Sequence, residues 1–346
     1  AEKAIDAAPA LSRRGGRKRA IKIADPYRLA AEMEALDQAG ARLIALCEPE
    51  YPDALAAIHD PPPLIVVRGD AALLGRRAVG MVGARNASAG GCLFAREIAA
   101  GLGAGGLVVV SGMARGIDTA AHEGALAAGT GTVAVLAGGV DVTYPPENAD
   151  LHERIAAEGA VISEQPMGLQ PTARHFPPRN RLISGLSLGV LVVEAAPRSG
   201  SLITARMALE QGREVFAVPG SPRDPRALGA NKLIREGALL TETADDVIEA
   251  LNSSMRGVFE AHARTSLGYS PPISAPISPS DGPQSAPESD DARENIVEKL
   301  GSAPVTVDEL VRECQLSARI VQGAILELEL AGRIERHPGN RISLLL

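Results

Sequence analysis

At 346 residues with 45% hydrophobic content, the chain can bury a sizeable core, and its length suits two or three domains. No run approaches the roughly 18 continuous apolar residues of a membrane span, and the first residues are too broken by charge for a signal peptide, so a cytoplasmic protein is expected. A net charge of −7 argues against bulk attraction to nucleic acid, so a polyanionic ligand needs a local basic site. Cys47, Cys92 and Cys314 have neither disulfide nor metal-ligand spacing, and the six histidines are dispersed, so no cofactor or metal is expected.

Residues 1–60 read as a partial helical region, with strong helix formers over Leu29–Leu36 and Gly40 as their stop. The basic run Arg13–Arg19 reads as a solvated linker before it reads as a phosphate contact. Pro61-Pro62-Pro63 marks a rigid junction, and a sheet domain is expected over 61–251, beginning with a strand at Leu64–Val67. Further apolar β-rich runs at Val79–Val82, Leu107–Val110, Val133–Leu136, Val161–Ile162, Val190–Val193 and Val215–Val218 alternate with helical stretches. That alternation implies parallel strands with helical crossovers, and such sheets bind ligands outside the carboxyl ends of their strands. Those ends run into Gly83-Ala84-Arg85-Asn86, Ser111–Gly116, Gly138-Gly139, Ser163-Glu164, Ser199-Gly200-Ser201 and Pro219-Gly220-Ser221. Glycine lets backbone approach a ligand, and helix N-termini offer unpaired N–H groups to an anion.

A Pro/Ser-rich linker is expected over 252–291. Beyond it, Ile296–Leu300, Val307–Cys314 and Ala318–Leu330 read as three helices, Gly332 as a stop, and Arg333–Ile342 as a hairpin. That order describes a winged helix-turn-helix over 292–346. Its reading helix carries Arg319 and Gln322 near the start but also Glu327 and Glu329, and the domain has seven Lys/Arg against eight Asp/Glu. A DNA-reading helix needs a basic face, so protein contact or dimer support is the expected role.

Two familiar patterns stand in the wrong context. Gly101–Gly106 matches the dinucleotide G-x-G-x-x-G but follows a helix and precedes a strand. Gly185-Leu186-Ser187-Leu188-Gly189 matches a hydrolase elbow with the same inversion, so Ser187 is not expected to be a nucleophile. What remains is a set of anion-binding turns with arginines: Gly83, Arg85 and Ser88 after one strand, Arg115 after the next, and Ser199, Gly200 and Ser201 before a later helix. Arg85 either meets a ligand or pairs with a carboxylate. The segment Arg174-His175-Phe176-Pro177-Pro178-Arg179-Asn180-Arg181 is the most specific, because arginines around one aromatic can bind phosphates and stack a base. Phe176 as a core residue is the alternative. Asp118, His122, Glu164 and Glu194 can form an acid/base site, but a network bracing the crevice is preferred.

These blocks, in order, resemble the bacterial DNA-processing protein A (DprA/Smf) family from about Asp53 to Ala250. They are Val82-Gly83-Ala84-Arg85, Ser111–Asp118 with His122, Gly138-Gly139 with Tyr144-Pro145, Ser163-Glu164, Phe176–Arg181, Glu194 with Ser199–Ser201, and Gly212-Arg213 with Val218–Gly220. The resemblance implies an α/β fold: an extended Rossmann-like parallel-sheet core, a partial N-terminal sterile-alpha-motif-like helical domain and a C-terminal winged helix. It also implies a homodimer that binds single-stranded DNA in natural transformation, protects it and helps load the RecA recombinase, with no catalytic turnover. Ala84 replaces the serine of the family's phosphate turn, and Ala173 stands where many members have a lysine, for which Arg174 is the substitute. The expected DNA contacts are Gly83, Arg85, Ser88, Arg115, Arg174, Phe176, Arg179, Asn180, Arg181, Ser199, Gly200 and Ser201. The competing reading is a Rossmann-like enzyme that cleaves nucleotide N-glycosidic bonds.

Overall fold

The valine-rich runs of the sequence become the strands of one large sheet in the computed structural model, which describes residues 2–16, 21, 24–253, 289–300, 304–314 and 316–345. The strands are β1 (Ala41–Ala45), β2 (Leu64–Gly69), β3 (Ala78–Val82), β4 (Val108–Ser111), β5 (Thr132–Val135), β6 (Ala160–Ser163), β7 (Gly189–Val192), β8 (Glu214–Ala217) and β9 (Leu239–Leu240). Their order in the sheet is β1-β2-β6-β5-β4-β3-β7-β8-β9. All pairings from β6 through β9 are parallel, while β2 runs antiparallel to both β6 and β1. The core is therefore a Rossmann-like sheet with an antiparallel extension on one edge.

Helices cover both faces, as a parallel sheet requires. They include α2 (Pro26–Gln38), α3 (Asp53–Ala56), α4 (Ala89–Ala104), α5 (Ile117–Ala127), α6 (Ala149–Glu158), α7 (Phe176–Gly185), α8 (Ser201–Glu210), α9 (Leu228–Arg235) and α10, residues 244–253. Alternation along the strands divides the core. Val79 and Met81 of β3 pack with Ile98, Leu102 and Ile117 of α4 and α5, whereas Ala78 and Val82 pack with Leu182, Ile183 and Ala205 of α7 and α8. Gly101–Gly106 is the end of α4 and the turn into β4, and buried Ser187 donates to the Ile183 carbonyl at 2.7 Å. Both inverted patterns are structural.

The described residues fall into two compact units, one within Ala30–Ser270 and one drawn from Ala1–Leu29 and Pro271–Leu346. The second contains α1 (Glu2–Arg14), α11 (Ser289–Lys299), α12 (Val307–Cys314), α13 (Ala318–Leu330) and a three-stranded sheet, β10 (Val305–Thr306), β11 (Ile334–His337) and β12 (Arg341–Leu344). Ile296, Leu310, Val321, Ile325, Leu328, Ile334 and Ile342 form its core, which is that of a winged helix. Residues 1–60, expected as one helical region, are divided. Helix α1 packs with α13, where Arg14 pairs with Glu327 at 2.9 Å, while β1 joins the large sheet with Ala41 and Ile44 buried. Residues 254–288 of the expected linker, and 17–19 of the basic run, lie outside the described residues.

Candidate functional site

Strand order reverses at β3: β4, β5 and β6 follow on one side, β7 and β8 on the other. A crevice opens beyond the carboxyl ends of strands at such a switch point. Here it is a cleft of about 830 Å³, lined by the loops after β3, β4 and β7, by Tyr144 and by the start of α7.

Close backbone packing shapes the first loop. A Cβ on Gly83 would lie 2.5 Å from the Ile117 side chain. Gly116 has φ +79°, and a Cβ there would meet the Ala84 carbonyl oxygen at 2.3 Å. The Ile117 N–H donates to that same carbonyl at 3.3 Å, so the start of α5 is sewn to the turn that carries Arg85. Ser88 caps α4 by accepting from Gly91 N–H at 2.8 Å, and its own N–H and hydroxyl both donate to Glu194, at 2.9 and 2.5 Å. That joins the turn after β3 to the end of β7. Ser88→Ala is expected to lower core stability by about 1 to 2 kcal/mol, read as a smaller urea midpoint at unchanged slope.

Helical phase selects which residues of α7 reach the cleft. Phe176, Arg179, Asn180 and Ile183 share one face at three- and four-residue spacing, and all four line it. Arg85 is exposed and lies over the Phe176 ring, its guanidinium carbon 5.2 Å from the centroid. The Arg179 guanidinium carbon is 5.8 Å from the same centroid, and the Tyr144 ring centroid is 5.7 Å away at an interplanar angle of 56°. Phe176 is thus half-buried in the cleft wall, held by two cation–π contacts and one aromatic contact.

Arg179 is itself buried, with Nη1 donating to the carbonyl of Gly112 at 2.6 Å and to that of Val135. Burial lowers its pKa to about 10, opposed by the charge of Asp118, so it remains a cation at neutral pH. Asp118, in the first turn of α5, accepts from the N–H groups of Gly112 and Ala114 at 3.2 and 3.3 Å. Burial raises its pKa to about 6, against the lowering effects of Arg179, the two N–H donors and Arg85. On the opposite wall, the Ser199 and Ser201 hydroxyls lie 2.7 Å apart at the start of α8.

Of the expected contacts, Gly83, Arg85, Phe176, Arg179, Asn180, Ser199, Gly200 and Ser201 come together in the cleft, and Ser88, Arg115, Arg174 and Arg181 do not line it. Ser88 is the cap just described. Arg115 pairs with Glu147 at 3.4 Å, and Arg174 Nε donates to His175 at 3.2 Å. Arg181 is two residues from Arg179, about 200° around the helix, and it pairs instead with Asp60 at 3.1 Å and with Glu164. Asn86, Tyr144, Arg198 and Arg226 also line the cleft and were absent from the expected set. Arg226 is held by Asp224 through contacts of 3.1 and 2.8 Å. Arg85 and Arg198 are exposed and have no carboxylate partner among the described residues.

The four candidate acid/base groups are each tied to the frame. Asp118 and Glu194 hold backbone turns, and Glu164 holds Arg181. His122 is fully buried and meets Thr132 Oγ1 at 2.9 Å. Thr132 spends its own proton on the Val109 carbonyl at 2.6 Å, so the imidazole carries its proton on Nδ1.

The family described as DNA recombination-mediator protein A matches residues 42–252, and the DprA winged helix domain matches 280–340. The chain belongs to the DprA/Smf family. It is 44% identical over 220 residues to the DNA processing protein DprA of Bacillus subtilis, covering 63% of this chain and 74% of that one. The solved structure of DprA from Streptococcus pneumoniae matches with a TM-score of 0.62 and 42% identity, over 65% of this chain and 78% of that one. The DprA of Helicobacter pylori, solved to describe its single-stranded DNA binding mode, matches with a TM-score of 0.56 and 29% identity, over 62% of this chain and 96% of that one. The two DprA family matches thus cover both the sheet core and the winged helix.

Proposed function

We propose that this chain binds single-stranded DNA in its switch-point cleft and acts in DNA processing during natural transformation and recombination. The observation that carries this reading is the pair of exposed guanidinium groups, Arg85 and Arg198, facing one cleft with no carboxylate partner among the described residues. On a chain of net charge −7, unneutralised arginines at one place form a local phosphate site. The glycine turn after β3 and the serines at the start of α8 add backbone and hydroxyl donors. The carboxylates nearby serve as braces, which supports binding over turnover. A mobility-shift comparison of single- and double-stranded oligonucleotides tests the reading: preference for the single strand is expected, and equal or absent binding would refute it.

Protection of the strand, loading of the RecA recombinase, assembly as a homodimer and a cytoplasmic location belong to the same proposal and rest on membership of the family. No helix among the described residues is long and apolar enough to cross a membrane. Strand β9, one of the two end strands of the sheet among the described residues, exposes Leu239 and Leu240, a surface suited to a second copy.

The winged helix is assigned no part in strand binding. Glu327 on α13 is buried and paired with Arg14 of α1 and Arg293 of α11, so one side of the reading helix is already occupied, and by an acid. Truncation after Ser270 is expected to leave single-strand affinity within a few-fold of the full chain. A loss of about tenfold or more at equal salt, about 1.4 kcal/mol, would assign the domain to the DNA site.

A further inference from the structure

The winged-helix unit is built from sequence on both sides of the sheet core: α1, from before the core, packs on α13, from after it. A helix of 13 residues with Pro9 inside it is marginal alone, so its helical form depends on that seat. Ala8, Leu11, Ser12 and Gly15 recur at three- and four-residue spacing, and of these Ser12 and Gly15 are buried. The fit is closest at the end of the helix. A Cβ on Gly15 would lie 2.1 Å from the Glu327 carbonyl oxygen and 2.9 Å from the Ala331 side chain, so only glycine lets the two backbones meet there. Gly16, at φ +93°, then ends the helix, its N–H donating to the Arg13 carbonyl at 3.0 Å. Charge selects the same end. The Glu327 carboxylate is buried on α13 between Arg14, at 2.9 Å, and Arg293 of α11, at 2.5 Å. A carboxylate taken out of water has to be paired, and α1 supplies one of its two cations.

We propose that the surface of α11 and α13 around Glu327 is a docking site for a helix that ends in Arg-Gly, that its occupant is α1 of the same chain, and that α1 thereby holds the winged helix to the rest of the chain without residues 254–288. The covalent link and the docked helix act in parallel. While the link is intact, docking is intramolecular and proceeds at a high effective concentration; cutting the link turns it into the association of two molecules. The winged helix then stays in place through α1 alone.

The test places a specific protease site between Ser270 and Pro271 of the full chain, cuts it, and follows the two fragments by sedimentation velocity over a dilution series. The wild-type fragments are expected to stay together in equal amounts at micromolar concentration. Gly15→Ala sets one methyl group against the Glu327 backbone and is expected to weaken their association about tenfold or more. Arg14→Ala, which leaves Glu327 with Arg293, is expected to weaken it severalfold. Ser12→Ala is expected to hold at least as tightly as wild type, because the Ser12 hydroxyl is buried with no hydrogen-bond partner among the described residues. In the uncut chain, amide exchange within α1 should be slow in wild type and fast in Gly15→Ala. Thermal unfolding of the sheet core should be the same in both, since no residue of α1 belongs to that core. Wild-type fragments that separate at every concentration overturn the proposal, as do Gly15→Ala fragments that hold as tightly as those of wild type. An uncut Gly15→Ala chain of lower oligomeric state than wild type would seat α1 on a second copy and overturn its assignment to its own chain.

Discussion

Replacing Arg85 and Arg198 together by alanine is expected to weaken single-strand binding by about a hundredfold at fixed salt. Each is exposed on the cleft and free of carboxylate partners among the described residues, so removing it breaks no ion pair of the protein. A hydrogen bond to a charged group contributes about 1.5 to 3 kcal/mol, and two at the lower end make about 3 kcal/mol, or about two decades in affinity. The same substitutions should flatten the log-log dependence on salt by about 1.4, because each phosphate on a single strand contributes about 0.7. Arg181→Ala is the control: its charge is already spent on Asp60 and Glu164, so its loss should leave the slope unchanged. A double variant that keeps the wild-type slope would move the phosphate path out of this cleft.

Much of this site was legible because the features that form a switch-point crevice are local. A valine-rich run followed by Gly83-Ala84-Arg85, and another followed by Ser199-Gly200-Ser201, each mark a strand end with an anion-receptive turn. The strand order that sets β3 beside β7 is a long-range fact, and it explains why turns more than a hundred residues apart line one cleft. Helical phase was readable in principle. With α7 starting at Phe176, Arg179 and Arg181 cannot reach the same ligand, and counting arginines without their angles places both in the site. Arg198 and Tyr144 escaped for another reason, since the direction of a loop side chain has no period to betray it. Strand β1 was missed because a five-residue edge strand containing Ala41, Arg42 and Ala45 has weak β-propensity and forms by pairing with β2. The division of the N-terminal region shows only in long-range packing: α1 lies against α13, where Arg14 pairs with Glu327 more than three hundred positions away, while β1 pairs with β2.

Acidification is expected to destabilise the core through His122 by about 5 kcal/mol once the imidazole is fully charged. Burial, and secondarily the charge of Arg179, lowers its pKa from 6.5 to about 3. A group whose folded pKa is depressed contributes stability that is present above its unfolded value and is lost as pH falls toward its folded value, here between 6.5 and about 3. At about 1.4 kcal/mol per pH unit that window gives the figure above. Asp118 works in the opposite direction: burial raises its pKa from 3.8 to about 6, so the stability it contributes at low pH is lost as pH rises across that interval. The two slopes offset each other between about pH 4 and 6, and removing His122 should expose the second one. His122→Leu replaces a neutral, buried ring by an apolar side chain, at the cost of the Thr132 contact at every pH. Urea unfolding of wild type and variant at pH 7 and pH 4 makes the comparison, and the advantage of wild type over His122→Leu should shrink by about 3 kcal/mol across that range. An advantage that stays constant with pH would mean that His122 takes up its proton in the folded core as easily as in the unfolded chain, and that Asp118 and the exposed carboxylates alone set the acid behaviour.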